Sequence, residues 1–209
     1  MTFVITAGPT REFLDPVRFL SNPSTGRMGF AIARAARDRG HRVILVSGPV
    51  SLRTPSGVER VDAVSALDMY RAVRKAVSPD CVFVASAAVA DWRPSSRAGS
   101  KLKKSEMDGT LRLTRNPDIL KSVRSRVKIG FAAETGDPAH EAARKLREKR
   151  LDMIVANDVC EKGAGFAVAT NKVVFIKKDG ETVRLPVMDK LAIARKIVRE
   201  AERIYTENA

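Results

Sequence analysis

The 209-residue sequence predicts an α/β fold on an open, mostly parallel, doubly wound sheet. Three observations carry this. Short apolar runs alternate with amphipathic stretches of helical length, the order that βαβ units produce. Cys81 to Ala85 is apolar at nearly every position, as a parallel strand covered on both faces requires. Near the C-terminal end, Lys172 to Lys177 and Thr182 to Leu185 flank Lys178-Asp179-Gly180-Glu181, a hairpin signature. Together these describe a Rossmann-like sheet with a C-terminal β-hairpin. With 44% hydrophobic residues, residues 1–209 suit one domain with one core.

The elements follow in order. Thr2 to Ala7 is the first strand, ending at Gly8-Pro9. Residues 8–26, rich in Pro, Thr, Ser and Asn, read as one long loop, and loops beyond about a dozen residues are usually functional. Met28 to Asp38 is a small-residue helix with Gly40 as its C-terminal stop, and Arg42 to Val46 is the second strand. Val58 to Val61 is a short third strand. A helix opens at Ser65 or Ala66 and runs to Ala76, with Asp68 in its first turn, where an acid suits the dipole. After Cys81 to Ala85, residues 86–109 read as irregular, Leu111 to Leu113 as a short strand, and Asn116-Pro117-Asp118 as the cap of a helix to Val123. Val127 to Ala132 is a strand, Pro138 to Arg150 a basic helix, Met153 to Ala156 a strand, and Asp189 to Ile204 the last helix.

Composition limits the function classes. The formal charge is +14, which implies an anionic partner: nucleic acid, a membrane surface or phosphorylated small molecules. Aromatic residues make up only 5% and do not interleave with the basic ones, so a base-stacking single-strand groove is not indicated. Cys81 and Cys160 form no CxxC pair, and with only His41 and His140 the usual structural zinc site cannot be built. Cys81 reads as a core thiol, His41 as structural and His140 as a surface residue at a helix start. No secretory leader pattern or membrane-length apolar run is seen, so a reducing, cytoplasmic setting is expected.

In sheets of this kind ligands bind beyond the carboxyl ends of the strands. Ser24-Thr25-Gly26-Arg27-Met28-Gly29 there runs into a helix and is nearly G-x-G-x-x-G. Glycines let a phosphate approach the backbone and the helix N-terminus supplies N–H groups, although such loops also serve as plain tight turns. A dinucleotide would want an acid at the end of the second strand. That strand ends Val46-Ser47-Gly48, which counts against an NAD(P)-dependent reductase. Asp91, shortly after a buried strand and beside Trp92, is a candidate for Mg²⁺ or ribose, or a turn aspartate. Lys101, Lys103 and Lys104 suit a polyphosphate or an exposed basic turn. Arg18 or Arg11 could fork onto a carboxylate or phosphate, or pair internally with Glu12 and Asp15. No nucleophile–histidine arrangement is visible.

Several segments together resemble the phosphopantothenate–cysteine ligase family, whose members are often fused to a flavin-dependent decarboxylase. They are Ile5 to Glu12, Asp15 to Phe19, Ser21-Asn22 with Ser24 to Gly29, Ala87 to Arg93, Lys101 to Lys104, Asn116 to Leu120, Gly130 to Thr135 and Asp152 to Asp158, and their order and spacing cover almost the whole chain. The resemblance implies that the carboxylate of 4′-phosphopantothenate attacks the α-phosphorus of CTP, and that cysteine then displaces CMP from the acyl-cytidylate. It further implies Mg²⁺, a homodimer, and a decarboxylase partner on the same or a separate chain, with no nucleic-acid or membrane partner. Carried over by position, Asn22 holds the acyl-nucleotide, Arg18 assists the cysteine half-reaction, and Gly8, Ser24, Thr25, Gly26 and Gly29 line the phosphate loop. Ala88 and Asp91 contact the nucleotide or its metal, Lys101 and Lys103 the triphosphate, and Phe131 lies against the nucleotide. Pro9, Thr25, Arg27 and Trp92 depart mildly from the family's usual residues, and Ala167 to Asn171 lacks an acid often placed before the asparagine. A basic nucleic-acid-binding α/β protein is the rival reading, separable by its salt dependence.

Overall fold

The computed structural model describes residues 1–104, 109–134, 138–158, 165 and 168–208. Cys160 and residues 105–108 of the stretch read as irregular lie outside them, as does the His140 side chain. The chain opens with β1 (Thr2–Ala7), then the short strands β2 (Arg11–Phe13) and β3 (Phe19–Ser21), and α1 (Arg27–Asp38). β4 (Arg42–Ser47), β5 (Glu59–Asp62), α2 (Ala66–Ala76) and β6 (Cys81–Ala85) follow. Next come β7 (Trp92–Pro94), β8 (Leu113–Arg115), α3 (Ile119–Ser122), β9 (Val127–Glu134), α4 (Pro138–Glu148) and β10 (Met153–Asp158). The chain closes with β11 (Thr170–Asn171), β12 (Val174–Lys177), β13 (Thr182–Arg184), β14 (Met188–Asp189) and α5 (Lys190–Glu207).

Eight strands form the main sheet in the order β13-β12-β10-β9-β6-β1-β4-β5. The run from β10 to β5 is parallel throughout. Numbered by appearance in that run, its order is 3-2-1-4-5-6, the doubly wound arrangement whose direction reverses between the first and fourth strands. Those strands are β1 and β6. β12 and β13 add to β10 as an antiparallel hairpin, so the expected sheet and C-terminal hairpin are both present.

The strand residues explain their place. β1 is fully buried from Phe3 to Ala7, and Cys81, Val82, Phe83 and Val84 of β6 have no exposed surface. Alternate residues serve two cores. Phe3, Ile5, Val82 and Val84 pack against α1 and α5, while Val4, Phe83 and Cys81 pack with Met69 and Val73 of α2. Cys81 is thus the core thiol expected, and burial raises its pKa. His41 stacks on Phe3 at 5.0 Å and bonds the Glu202 carboxylate at 2.7 Å, a structural role.

The structure corrects three readings. Residues 8–26 are not one loop, because β2 and β3 pair antiparallel within them. The irregular stretch 86–109 contains β7, which pairs antiparallel with β8. That strand begins at Leu113 rather than Leu111, since register is set by Trp92↔Arg115. These strands are only three residues long, too short for a local period to record.

Candidate functional site

The crevice at the strand-order reversal is built by the loops leaving β1 and β6. Their pairing continues past the strands through a parallel bridge between Pro9 and Ala88. The Ala88 N–H donates to Gly8 O at 2.9 Å and the Thr10 N–H to Ala88 O at 3.2 Å. Two threonine hydroxyls hold the β6 loop from beneath: Thr6 Oγ1 accepts from the Ala87 N–H and Thr10 Oγ1 from the Ala90 N–H. Gly8 turns with φ +77, in the left-handed region that glycine favours. Gly48 admits the backbone of Pro9 so closely that a Cβ there would lie 1.8 Å from Pro9 O.

One wall is the start of α1. Gly26 caps the helix at φ 78 with no side-chain hydrogen bond, and its first turn carries no acid. Its first amides are therefore turned toward the crevice without an internal anion, a phosphate-binding arrangement. Gly29 brings the helix onto β1, since a Cβ there would meet Ala7 Cβ at 2.5 Å. This recess, about 220 Å³, is lined by Ser24 to Gly29, Ser86 to Val89, Phe131, Asn157 and Lys190 among others. A larger recess of about 670 Å³ adjoins it between α3 and α4, lined by Asp91, Trp92, Asn116 to Lys121 and Lys149. Ala87, Val89 and Phe131 line both.

Gly26, Gly29, Ser24, Thr25, Ala88 and Phe131 thus converge as the sequence predicts. Gly8 lies beneath them, and a Cβ on Gly26 would contact its backbone at 3.3 Å. Asn22 stands at the rim, its Nδ2 donating to Ala88 O at 3.2 Å. Asp91 is exposed in the larger recess, beside Asn116, whose N–H donates to Asp91 O and whose Nδ2 donates to Ala90 O. Arg18 takes the internal alternative. Its Nε and Nη2 hold the buried Asp15 carboxylate at 2.9 and 2.6 Å, and Nη2 also donates to Leu102 O at 2.8 Å. Burial pushes the Asp15 carboxyl up, but the N–H groups of Arg18 and Val17 and the guanidinium pull it well below the usual carboxylate range. Arg18 therefore ties the segment carrying Lys101 and Lys103 to the β2–β3 hairpin, while both lysines stay exposed. Arg11 stacks over Phe19 at 4.7 Å, and Glu12 accepts from the Ala66 N–H at the start of α2.

Lys190 lines the recess without having been singled out by the sequence, and Asn157 and Asn171 lie in segments that the sequence marks but to which it gives no role. Lys190 is 6% exposed and donates to Gly165 O at 2.9 Å and Val168 O at 2.7 Å. Burial, then the charge of Arg27, lowers its pKa. A lysine one residue after a helix cap ordinarily reads as solvated, so no local signal marks it. For Mg²⁺ the donor set is thin: among the described residues no three His, Cys, Asp or Glu side chains converge. Mg²⁺ is usually held by one or two carboxylates plus substrate phosphates, and Asp91 offers one such carboxylate beside the recess.

The sheet order and the crevice at its reversal define a Rossmann-like α/β domain in which the start of α1, without a side-chain cap, faces that crevice. The chain belongs to the family described as DNA/pantothenate metabolism flavoprotein C-terminal domain, which it matches over residues 1–205. It is 48% identical over 202 residues to the coenzyme A biosynthesis bifunctional protein CoaBC of Bacillus subtilis (strain 168), covering 94% of this chain and 50% of that protein. The chain thus spans about half the length of the curated relatives it matches. A crystal structure of the C-terminal domain of a CoaBC protein superposes with TM-score 0.83 at 41% identity, covering 99% of this chain and 96% of that one. A Cab2 variant in complex with phosphopantothenate-cysteine shares the fold, with TM-score 0.77 at 17% identity over 100% of this chain and 87% of that one. Among the described residues no helix is long and apolar enough to cross a membrane.

Proposed function

We propose that this domain is a phosphopantothenate–cysteine ligase of coenzyme A biosynthesis, using CTP and passing through an acyl-cytidylate. The observation that carries the reading is the pair of adjoining recesses sharing Ala87, Val89 and Phe131. One ends at the amides of α1, where the phosphate of 4′-phosphopantothenate binds. The other has the depth and polar lining of a nucleotide site, with Asp91, Asn116 and Lys149. The two reacting ends meet at the shared wall. The resemblance of the residue pattern and the CoaBC relatives support the same reading.

The pantothenate carboxylate oxygen forms a bond to the α-phosphorus of CTP, and the bond from that phosphorus to pyrophosphate breaks. The cysteine nitrogen then attacks the acyl carbon and loses a proton as CMP departs. A carboxylate is a poor electrophile, so the protein's task is alignment and charge stabilisation rather than nucleophilic attack. Asn22 donates its amide to the acyl-nucleotide. Arg18 serves the cysteine step through the hairpin it clamps to the Lys101 segment, and Lys101 and Lys103 neutralise the triphosphate. Mg²⁺, held by Asp91 and the phosphates, would supply further charge neutralisation there.

The domain acts as a homodimer, supported by Val17, Phe19, Leu20, Trp92 and Leu113, apolar side chains left exposed on the β2–β3 and β7–β8 hairpins. A flavin decarboxylase on the same or a separate chain supplies the other half of the relatives' length, and the setting is cytoplasmic. The test is pyrophosphate release with 4′-phosphopantothenate and Mg²⁺, comparing CTP with ATP, with and without cysteine. Release that needs the pantothenate compound, with CMP freed only on adding cysteine, supports the ligase. No release with either nucleotide from the folded protein sinks it, and Asn22→Asp leaving both half-reactions intact removes the role given to Asn22.

A further inference from the structure

A second basic recess lies on the opposite edge of the sheet, where β6, β9 and β10 begin. It is a broad, open recess of about 730 Å³, lined by Arg124, Arg126, Lys128, Arg150, Lys178 and Asn208 among others. Asp152, the one carboxylate in that lining, is already bonded by the Lys128 N–H at 2.8 Å and by Asn208 Nδ2 at 3.4 Å. Arg126 pairs with Asp80 at 3.0 Å and stacks on Tyr205, yet its buried Nε meets no acceptor among the described residues. Arg124, Arg150 and Lys178 have no carboxylate partner among the described residues, whereas Arg126 in the same lining has Asp80.

Arg150 adds an independent observation. α4 ends in a Schellman motif: the Leu151 N–H donates to Leu146 O and the Arg150 N–H to Arg147 O. Arg150 occupies the left-handed position of that motif, φ 51, as the only non-glycine residue with positive φ among the described ones. Glycine fits there without strain. A cation kept at a strained position, facing other unneutralised cations, signals a use for the charge. Basic groups near helix C-termini also complement the dipole. One exposed lysine does that without left-handed backbone, so the dipole does not account for Arg150.

We infer that this recess is a second anion site, distinct from the ligase crevice, which takes a small multiply charged phosphate ester through Arg124, Arg150 and Lys178. The five cations gathered in this one recess, Arg124, Arg126, Lys128, Arg150 and Lys178, suit a ligand that carries several negative charges close together. Occupancy would relieve the mutual repulsion of these cations and stiffen the junction of α4 with β10, where the neighbouring Lys149 lines the nucleotide recess.

The experiment is calorimetric titration of the whole chain with inorganic tripolyphosphate at physiological ionic strength, where scattered surface charge is screened. The wild type is expected to show two classes of site, one of them in the catalytic crevice. Arg150→Gln/Lys178→Gln should abolish one class and leave the other. Arg150→Gly should weaken that class about tenfold or more, the loss of one charge-assisted contact, with a Tm equal to or above wild type. An isotherm unchanged by either variant overturns the site. So does a duplex oligonucleotide that displaces tripolyphosphate and depends on the same side chains, since it would mark a nucleic-acid surface. Ligase activity is read separately, and its absence would not alter which class the Arg150 variants remove.

Discussion

Gly29 leaves no room for a methyl group between α1 and β1, because Ala7 Cβ would lie 2.5 Å away and Thr6 O 2.9 Å. Gly29→Ala should therefore destabilise the domain by about 1–3 kcal/mol in urea unfolding, the usual cost of overpacking. It should also weaken binding of the phosphorylated substrate more than of its dephosphorylated form. Asp15 gives a pH signature. Its carboxyl is held below its unfolded value, so the stability it contributes is present above the ordinary carboxylate pKa, about 3.9, and fades as pH falls toward the folded value. Urea melts of wild type and Asp15→Asn should accordingly differ most near neutrality and converge in acid; a gap that widens in acid would refute this. The sequence shows the Ser24–Gly29 loop and Asp91 because glycines, a helix start and an acid after a strand are local patterns. It hides Lys190 and Gly48, whose importance rests on Gly165, Val168 and Pro9 arriving from elsewhere in the chain.

At the scale of elements, caps and clamps position the site. Ser65 and Asp68 form a reciprocal capping box at the start of α2, and Glu12 adds a bond from β2 to the Ala66 N–H. Ser65→Ala should cost about 1 kcal/mol of stability, measured by thermal or urea unfolding, and leave the KM values unchanged. Lys149 lies in the recess between α3 and α4, paired with Asp118 at 3.3 Å. Lys149→Met should raise KM for the nucleotide several-fold without raising that for the pantothenate compound; equal changes in both would place the nucleotide elsewhere. The main strands are legible because β1 and β6 are nearly continuous apolar runs whose burial matches their pattern. β3 was not, because Phe19, Leu20 and Ser21 are all exposed and the strand exists only through its partner β2.

Across the whole molecule, a charge of +14 is compatible with both a phosphate-handling enzyme and a nucleic-acid binder. Any affinity for duplex DNA is expected to vanish as salt approaches physiological strength, with no sequence preference. Retention of tight binding there would favour the polymer. The floor of the crevice is formed by β1 and β6, in the middle of the sheet and without exposed apolar side chains, whereas its rim rests on two-stranded hairpins of three residues each. Such a molecule has two kinetic regimes for amide hydrogen exchange. Amides of β1 and β6 should exchange only through global unfolding, while those of the hairpins exchange through small local openings. A ligand that bridges floor and rim will therefore slow exchange in the hairpins far more than in the central strands, so exchange protection can map an occupied crevice even when catalysis is silent.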